Sequence, residues 1–424
     1  MKRDTGLIIA APSSGSGKTT ITLGLLRALK RSGTLVRGAK SGPDYIDPRF
    51  HEAASGKPCF NVDAWAMDAA RIKSLVAGDA PLIIEGAMGL FDGAPPDGRG
   101  AVADLARSLK LPVIMVIDAA RMAQSAAPLL AGFAQFDPDV KVAGVILNKV
   151  GSVRHETMLR RAIAPLNISV LGAIPRSAEI ATPSRHLGLV QAQERDDLEA
   201  FIENAADLVT QRVDLNHLSD LATSLPDLDF SRKIAPPAQH IAIAQDAAFA
   251  FAYPHILQDW RTAGAQITPF SPLLNQTVPD CDFVFLPGGY PELYAGQLAR
   301  ADIFLNSLRK HAETRQVYGE CGGYMMLGQG LIDAQGERHQ MAGLLQLETS
   351  FAKRKLHLGY RQLSAAHGPF KGDWTAHEFH YASTLNAHGI PLFKARDAEE
   401  TELPDMGLIQ GNVSGSFAHI IDIA

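Results

Sequence analysis

Hydrophobic positions in the first 190 residues form short, continuous runs separated by longer segments with helical spacing. The runs are GLIIAA, LVRGAK, PLIIEG, LPVIMVID, KVAGVILNKV and ISVLGAIP. Runs rich in Val, Ile and Leu are typical of strands buried on both faces of a parallel sheet. After the first run, TTITLGLLRALKRSG has apolar residues at helical spacing and ends at Gly33. This alternation predicts an α/β doubly wound domain over residues 1–195.

The pattern changes near residue 191 and then resumes. QERDDLEAFIENAADLVTQRV predicts one amphipathic helix, and the polar stretch after it ends in a double proline. We interpret residues 196–237 as a helix packed on the first domain plus a linker, in preference to a separate functional module. A second α/β domain over residues 238–424 is predicted from the later strand candidates HIAIAQD, AQITPF, FVFLPGG, QVYGECGGY and SGSFAHIID.

Composition narrows the class of partner. The formal net charge of -5 gives no sign of a nucleic-acid or membrane-surface partner, so small-molecule substrates are expected. Cys59, Cys281 and Cys321 are widely spaced and odd in number, which predicts neither a disulfide framework nor a CxxC metal site. No stretch approaches the roughly 20 apolar residues of a membrane span. These features together predict a cytoplasmic protein.

The stretch APSSGSGKTT, directly after the first predicted strand, has the core of a phosphate-binding loop. In such loops backbone N–H groups surround phosphate oxygens, a lysine reaches the terminal phosphates and a hydroxyl holds magnesium. Pro12 stands where the full pattern has its first glycine, so the loop must be shaped differently. An ordinary Gly/Ser turn is the alternative. The candidate nucleotide-binding residues are Gly15, Gly17, Lys18, Thr19 and Thr20, with Thr19 also a magnesium ligand.

Acidic residues follow two other predicted strands. KSGPDYIDP contributes Lys40, Asp44 and Asp47, and IIEGAMGLFDG contributes Glu85 and Asp92. Ligands of open α/β sheets bind at the carboxyl ends of the strands, and a carboxylate there can hold magnesium directly or through water. For the two aspartates beside prolines, turn chemistry is the alternative.

The strand candidate KVAGVILNKV ends with an amide and a cation, Asn148 and Lys149. Such groups at a strand end could contact a nucleobase edge, or they could cap the next helix. The residue types alone leave both possibilities open.

QVYGECGGYMMLG predicts a nucleophile in the second domain. Its GxCxG pattern would expose Cys321 on a sharp turn between a strand and a helix. We expect the helix end to lower the pKa of the thiol. Backbone N–H groups of Gly288 and Gly289 could bind an oxyanion, and His419, far away in sequence, could be the base. A buried structural role is the alternative for the cysteine, and we assign Cys59 and Cys281 to packing or surface.

These motifs together carry a family resemblance that covers almost the whole chain. LPGGYPELYA, YGECGGYMMLG and FAHIID resemble the class I glutamine amidotransferase module of cobalamin-pathway amidotransferases. APSSGSGKTTITLGLLRAL, KSGPDYIDPRFH and EGAMGLFDG resemble the P-loop NTPase, dethiobiotin-synthetase-like half of the same enzymes. KSGPDYIDP is the most specific stretch. This stretch resembles the corresponding sequence in the branch of the family that amidates the a and c side chains of cobyrinic or hydrogenobyrinic acid.

The resemblance implies a ligase that uses ATP, Mg²⁺ and glutamine, and that could be a homodimer. Ammonia released from glutamine would displace phosphate from an acyl phosphate of the substrate. In the glutaminase half the implied residues are the nucleophile Cys321, the proton carrier His419 and the oxyanion-binding Gly289. In the other half they are Lys18 and Thr19 for ATP and magnesium, Asp47 and Glu85 for metal, Asp44 and Asp92 for the substrate carboxylate, and Asn148 near the adenine.

Two details near the C-terminus modify this comparison. Many class I glutaminases carry a Glu two residues after the histidine, where this chain has Ile421, and we expect Asp422 to point to the opposite face. AHEFHYAS also resembles the family, and its HEFH spacing could indicate a metal site. We expect His377 and His380 on one face of a strand and Glu378 on the other, which favours substrate-facing or structural roles.

Two other functions remain open. One is amidation of a different tetrapyrrole, either a nickel-sirohydrochlorin or the cobyric acid synthase reaction. The other is a nucleotide-dependent switch with an inert glutaminase-like domain, against which the presence of both Cys321 and His419 argues.

Overall fold

The structure is a computed structural model, and it describes residues 1–2, 4–177, 184–185, 188–189, 191–227 and 231–424. It divides into two compact units, Met1–Arg232 and Lys233–Ala424. Among the described residues, no helix is long and apolar enough to span a membrane.

Unit 1 alternates strands and helices. Its strands are β1 (Thr5–Ala10), β2 (Arg37–Ser41), β3 (Phe60–Val62), β4 (Leu82–Glu85), β5 (Val113–Asp118), β6 (Val142–Val150), β7 (Ser169–Pro175), β8 (Ser184–Arg185), β9 (Gly188–Leu189) and β10 (Thr223–Ser224). Its α-helices are α1 (Lys18–Arg31), α2 (Asp47–Ser55), α3 (Ala69–Val76), α4 (Val102–Leu109), α5 (Ala126–Gln135), α6 (Val153–Ile163), α7 (Leu198–Arg212) and α8 (Leu215–Leu221). Ala164–Leu166 and Ala192–Glu194 form short 3-10 helices.

The main sheet of unit 1 runs in the order β3-β2-β4-β1-β5-β6-β7 with all neighbours parallel, and β10 adds to β1 in antiparallel direction. Each apolar run predicted for this half is a strand, and β1 is buried along its whole length. β4 lies between β2 and β1, with Glu85 opposite Lys40 on one side and Ile9 on the other. The ends of these three strands therefore meet beside the predicted phosphate loop.

Helix α7, predicted as part of the segment between the domains, packs on α1 within unit 1. A Cβ at Gly24 would lie only 2.6 Å from the carbonyl oxygen of Ala205, so the two backbones are in close contact. Arg27, whose side chain is 8% exposed, also pairs with Glu199 at 2.9 Å and with Glu203. The predicted linker ended at residue 237, whereas unit 2 begins at Lys233.

Unit 2 combines an α/β core with a β-rich remainder. Its strands are β11 (His240–Ala244), β12 (Gln266–Phe270), β13 (Phe283–Leu286), β14 (Gln316–Glu320), β15 (Gly330–Ile332), β16 (Arg338–Gln340), β17 (Gln346–Ser350), β18 (His357–Ala365), β19 (Gly372–His380), β20 (Ser383–His388), β21 (Phe393–Arg396), β22 (Glu402–Met406), β23 (Leu408–Gln410), β24 (Val413–Ser416) and β25 (His419–Ile423). Its helices are α9 (Pro254–Thr262), α10 (Ala295–Ala299), α11 (Asp302–Ala312) and α12 (Gly322–Leu327), with a 3-10 turn at Pro291–Leu293.

The core sheet of unit 2 has the order β12-β11-β13-β14-β24-β23, parallel except for β23. Two further sheets, β22-β21-β18-β19-β25 and β16-β15-β17-β20, are mostly antiparallel. SGSFAHIID, predicted as one strand, is divided between β24 in the core sheet and β25 in the antiparallel sheet. Pairing of β14 with β24 sets Glu320 opposite Ser416, three residues before His419.

Candidate active sites

The predicted phosphate loop connects β1 to α1 in unit 1. Gly15 and Gly17 have φ values of 78° and 91°, in the left-handed region that favours glycine. Lys18 donates from Nζ to the carbonyl oxygens of Met88 at 2.5 Å and Ser13 at 3.4 Å. Burial and the nearby Lys40 lower the pKa of Lys18 to about 8, against the raising influence of Glu85, Asp47 and Asp92. The lysine is thus held across the loop by two carbonyl groups that the sequence pattern did not identify.

Four side chains at the adjoining strand ends form a group that we call the acidic corner: Thr19, Lys40, Asp47 and Glu85. Thr19 Oγ1 lies 2.7 Å from Glu85 Oε1 and 3.2 Å from Asp47 Oδ2. Lys40 Nζ donates to both carboxylates, at 2.5 Å to Asp47 and 2.9 Å to Glu85. A hydroxyl and two carboxylates are oxygen donors of the kind that Mg²⁺ prefers. The structure therefore brings together the predicted metal ligands, with a lysine added.

The two carboxylates of the acidic corner differ in their electrostatics. Burial and the nearby Asp44 raise the pKa of Asp47 to about 7, against the lowering influence of Lys40. Burial also acts to raise the pKa of Glu85, but Lys40 and His51 outweigh it and hold that pKa well below its usual range. The neighbours of Glu85 therefore favour its ionised form, and an added cation would favour ionisation of Asp47 as well.

His51, on α2, was not identified from the sequence. Its Nε2 lies 2.6 Å from Glu85 Oε2 and its Nδ1 lies 3.5 Å from Cys59 Sγ, with the imidazole fully buried. Burial lowers the pKa of His51, while Cys59 and Glu85 raise it, to about 10 in all. A protonated ring donates to Glu85 and fixes its orientation. No local sequence pattern indicates this contact, because it depends on the pairing of β2 with β4.

The two aspartates predicted to orient the substrate carboxylate lie near the two lysines of this site, Asp44 near Lys40 and Asp92 near Lys18. Asp44 Oδ1 accepts from the backbone N–H groups of Ile46 at 2.8 Å and Asp47 at 3.0 Å, while its Oδ2 lies 3.9 Å from Lys40 Nζ. Asp44 therefore takes part in the turn and also lies near Lys40, so the two roles considered for it are compatible. Asp92 is exposed and accepts from the N–H of Gly89 at 2.9 Å, in the turn that also supplies the carbonyl group bound by Lys18.

Asn148 and Lys149 contact the phosphate loop. Asn148 Nδ2 donates to the carbonyl oxygen of Ser16 at 2.9 Å, and its Oδ1 accepts from the N–H of Lys149. Lys149 Nζ reaches the carbonyl oxygen of Gly15 at 3.2 Å and Asp118 Oδ2 at 2.6 Å. The alternative role, capping α6, belongs to Ser152, which accepts from the N–H of His155. Asn148 therefore braces the loop from the end of β6, two strands away from β1 in the sheet.

Cys321 of unit 2 stands between β14 and α12 with φ 46° and ψ −103°, a strained backbone for a non-glycine residue. Its N–H donates to the carbonyl oxygen of Ser416 at 2.8 Å. A Cβ at Gly323 would lie 1.9 Å from the carbonyl oxygen of Leu286, and one at Gly319 would lie 2.6 Å from Gly323. The flanking glycines are required by close backbone packing, which produces the sharp turn that the GxCxG pattern predicts.

His419 and Cys321 face each other across Gly288. A Cβ built on Gly288 would lie 2.8 Å from His419 Nε2 and 3.2 Å from Cys321 Cβ. The backbone nitrogen of Gly289 lies 3.1 Å from the position that a Cβ on Gly322 would occupy. The N–H of Gly289 therefore lies beside the turn that carries Cys321. A nucleophile, a base and backbone donors are thus close together, as expected for acyl transfer.

The electrostatics of this pair correct one expectation. The helix end was expected to lower the pKa of Cys321, but burial and Glu292 raise it well above its usual range, with the N–H of Gly322 opposing them. Burial lowers the pKa of His419 to about 3, helped by His377 and His380. The desolvation of a buried thiolate outweighs the contribution of one short helix. Both shifts favour the neutral forms of the thiol and the imidazole, and a neutral imidazole has the nitrogen lone pair that a base requires.

Glu320 lies behind the imidazole. Its Oε2 is 3.6 Å from His419 Nδ1, and its Oε1 accepts from the N–H of Ile420 at 3.2 Å. Burial raises the pKa of Glu320 to about 8. Asp422 accepts from the N–H of Ile423 through Oδ1 and lies opposite Thr375 on β19. The acid that faces His419 therefore precedes the nucleophile in the sequence. Many class I glutaminases instead have their acid two residues after the histidine.

The interpretation of HEFH was wrong about the strand faces. Glu378 Oε1 lies 3.0 Å from His380 Nε2, and Glu378 Oε2 accepts from Arg361 at 2.7 Å. His377 instead packs its ring against Tyr360. Residues two apart on a strand share a face and residues three apart do not, so His380 and Glu378 lie together.

Family models match both halves of the chain. Residues 7–190 match the CobQ/CobB/MinD/ParA nucleotide binding domain, and residues 240–422 match the CobB/CobQ-like glutamine amidotransferase domain. The fold class predicted from the sequence is therefore confirmed.

Full-length relatives agree with these matches. The hydrogenobyrinate a,c-diamide synthase of Brucella anthropi is 53% identical over 429 residues, which cover 98% of each chain. The proteins of the same name from Brucella suis and Rhizobium meliloti are each 52% identical, over 99% of both chains. Similarity of this extent, together with the two sites described above, shows that the chain is an enzyme of the cobalamin-pathway glutamine amidotransferases and belongs to the family of the hydrogenobyrinate a,c-diamide synthases.

Proposed function

We propose that this enzyme uses ATP and glutamine to amidate the a and c side-chain carboxylates of hydrogenobyrinic acid or of cobalt-containing cobyrinic acid. The observation that carries the proposal is the full-length identity of 52–53% to relatives of that name. The facing Cys321 and His419 support it, because an inert glutaminase-like domain in a nucleotide-dependent switch has no need of that arrangement.

Unit 1 prepares the acceptor. A carboxylate is a poor acyl donor, and attack of its oxygen on the γ-phosphorus of ATP converts it into an acyl phosphate and releases ADP. Lys18 and the backbone N–H groups of the loop, including those of Gly15, Gly17, Thr19 and Thr20, bind the phosphates. The oxygen donors Thr19, Asp47 and Glu85 would hold Mg²⁺, which supplies charge neutralisation to the phosphate oxygens when bound.

Two cations and two aspartates then orient the reacting carboxylate. Lys40 lies between the carboxylates of the acidic corner, and Lys18 lies beside the turn that contains Asp92. Asp44 lies near Lys40 and Asp92 lies near Lys18, which supports a role in positioning rather than in bond making. Asn148 acts through the loop backbone that it braces.

Unit 2 releases ammonia. The Cys321 thiol transfers its proton to His419 as the sulfur attacks the carboxamide carbon of glutamine, and the N–H of Gly289 stabilises the oxyanion. His419 gives the proton to the leaving nitrogen, which departs as ammonia and leaves a thioester. Water activated by His419 hydrolyses the thioester to glutamate. Glu320 keeps the imidazole oriented from the far side.

Ammonia then attacks the acyl phosphate and displaces phosphate. Each round converts one carboxylate, one ATP, one glutamine and one water into an amide, ADP, phosphate and glutamate. Two rounds yield the diamide. Both cosubstrates are cytoplasmic metabolites and the three cysteines are free thiols, which supports a cytoplasmic location.

Glutamine carrying ¹⁵N in its side-chain amide tests the proposal directly. We expect the purified enzyme, with ATP and magnesium, to transfer two labels to hydrogenobyrinic or cobyrinic acid, as counted by mass spectrometry. Nickel-sirohydrochlorin and the a,c-diamide serve as competing acceptors for the two related reactions. Label in one of these alone would reassign the acceptor, and glutamine hydrolysis without label in any macrocycle would contradict the ligase function.

A further inference from the structure

Helix α5 of unit 1 presents an exposed apolar surface. Its ten residues, AAPLLAGFAQ, include no charged side chain, and only Ala126 and Leu130 are buried in the core. On the outward side, Leu129 and Phe133 are half-buried and Phe136, directly after the helix, is 75% exposed. A surface helix ordinarily carries polar residues on its outer face. A continuous apolar face of this kind marks a binding surface.

This face forms one wall of a groove with a volume of about 380 Å³, which we call the aromatic groove. Its floor includes Phe91, whose ring stacks on Phe133 at a centroid distance of 5.8 Å and 21° and contacts Phe136 at 4.7 Å. Among the described residues that line the groove, Asp92 is the one with a charge. Aromatic rings with few polar groups suit the flat, apolar face of a ring system whose polar substituents lie at its edge.

The groove is linked to the phosphate site through a short segment of chain. Asp92, which lines the groove, accepts a hydrogen bond from the N–H of Gly89, and the adjacent Met88 supplies the carbonyl oxygen that Lys18 contacts at 2.5 Å. A ligand in the groove would therefore contact the segment that also holds the phosphate-loop lysine. Neither the family models nor the names of the relatives assign a role to α5.

We propose that the aromatic groove binds one face of the tetrapyrrole acid and presents its reacting carboxylate to the Lys18 region. The proposal rests on the function proposed above and adds the place where the acceptor binds. The groove is too small to enclose a whole macrocycle, so it contacts one edge or face and leaves the remaining side chains in solvent. A macrocycle lying there could also turn after the first amidation and offer its second carboxylate.

Phe136→Ala is the direct test, because this exposed side chain has no part in the core. We expect the dissociation constant of hydrogenobyrinic acid, measured by titrating the macrocycle's absorbance, to increase roughly tenfold, with the KM for that acid increasing in parallel. Phe136→Trp should bind as the wild type does, since it keeps an aromatic surface. Leu35→Ala, which removes a side chain that is 66% exposed elsewhere in unit 1, is the matched control and should change neither constant. The KM values for ATP and glutamine should stay unchanged in all three variants.

The outcomes separate this inference from the proposed function. If the wild type amidates the acid and Phe136→Ala has an unchanged dissociation constant, the groove is not the acceptor site. If the wild type binds the acid but transfers no label, and Phe136→Ala weakens that binding, the groove stands and the proposed reaction fails. A wild type that neither binds nor amidates any tetrapyrrole acid overturns both. A dimer that becomes monomeric in Phe136→Ala by analytical ultracentrifugation, with acid binding intact, assigns the groove to a second copy instead.

Discussion

Glu320 Oε2 lies 3.6 Å from His419 Nδ1, so the acid that faces the proposed base comes from the strand that precedes the nucleophile. The two residues are close because β14 and β24 pair in parallel and the chain then turns into β25. This contact provides an acidic residue for the imidazole in a chain that has Ile421 where many class I glutaminases have glutamate.

Glu320→Gln should reduce glutaminase kcat/KM by on the order of ten- to a hundredfold. Glu320 has a pKa of about 8, and its ionised form above that pH makes His419 more basic. The ratio of wild-type to variant activity should therefore increase as the pH rises through about 8, and a pH profile of glutamine hydrolysis measures it. A constant ratio across that range would leave Glu320 with a structural role alone.

Cys321→Ala should abolish glutamine-dependent amidation and leave ammonia-dependent amidation unchanged, because only the source of nitrogen is lost. Label transfer from glutamine and from ammonium chloride measures the two rates separately. Lys18→Ala should lose both, since ATP binding serves either nitrogen source. Loss of both activities in Cys321→Ala would contradict the division of labour between the units.

Gly288→Ala should reduce glutaminase activity about a hundredfold without unfolding unit 2. The added Cβ would lie 2.2 Å from His419 Cε1 and 3.2 Å from Cys321 Cβ, so it would push the base away from the nucleophile. Misplacement of this size costs about a hundredfold in rate. Gly296→Ala is the matched control, because the nearest atom to its added Cβ is 3.5 Å away. Thermal melting should be similar for the two variants, and equal glutaminase rates would be inconsistent with the described geometry.

Asn148→Ala distinguishes two roles for this residue, which are support of the phosphate-loop backbone and recognition of the nucleobase. Because Nδ2 binds the carbonyl oxygen of Ser16, we expect its loss to raise the KM for ATP and GTP by the same factor, roughly tenfold for one buried hydrogen bond. A role beside the adenine predicts instead that the preference for ATP over GTP falls. Steady-state assays with both nucleotides decide between these outcomes.

Glu85→Gln should impair amidation from both nitrogen sources and increase the magnesium concentration needed for half-maximal rate. The change also leaves Lys40 and His51 without their shared ionised partner, which should lower the free energy of unfolding by about 3 kcal/mol. Glu52→Gln, on the surface of α2, is the control and should change neither quantity. A normal magnesium response in a folded Glu85→Gln protein would remove this residue from the metal site.

The parallel strands and both reactive turns could be predicted because their signals are local. GLIIAA is buried along its length in the structure, and the glycines beside Lys18 and Cys321 occupy positions that tight backbone geometry requires. Most antiparallel strands of unit 2 were missed because their sequences carry no such local signal. STLNAH and ELPDM have few buried side chains and no apolar run, so their strands are formed by pairing with neighbours.

Residues whose roles depend on tertiary contacts also could not be identified from local sequence patterns. His51 reaches Glu85 only because two strands distant in sequence are adjacent in the sheet. Asn148 was singled out by its position at a strand end, yet its contact with the loop backbone needed the fold. The pKa of Cys321 was expected to move downward because the sequence displays the helix and not the depth of burial.

The burial of the Cys321 thiol beside a neutral imidazole affects how fast this cysteine is oxidised or alkylated. Peroxide and alkylating reagents react with thiolate, and a sulfur that keeps its proton reacts slowly with either. The enzyme without glutamine should therefore resist iodoacetamide. During turnover the proton leaves as the sulfur bonds to the amide carbon, so the proposed mechanism never leaves the sulfur exposed as a free thiolate.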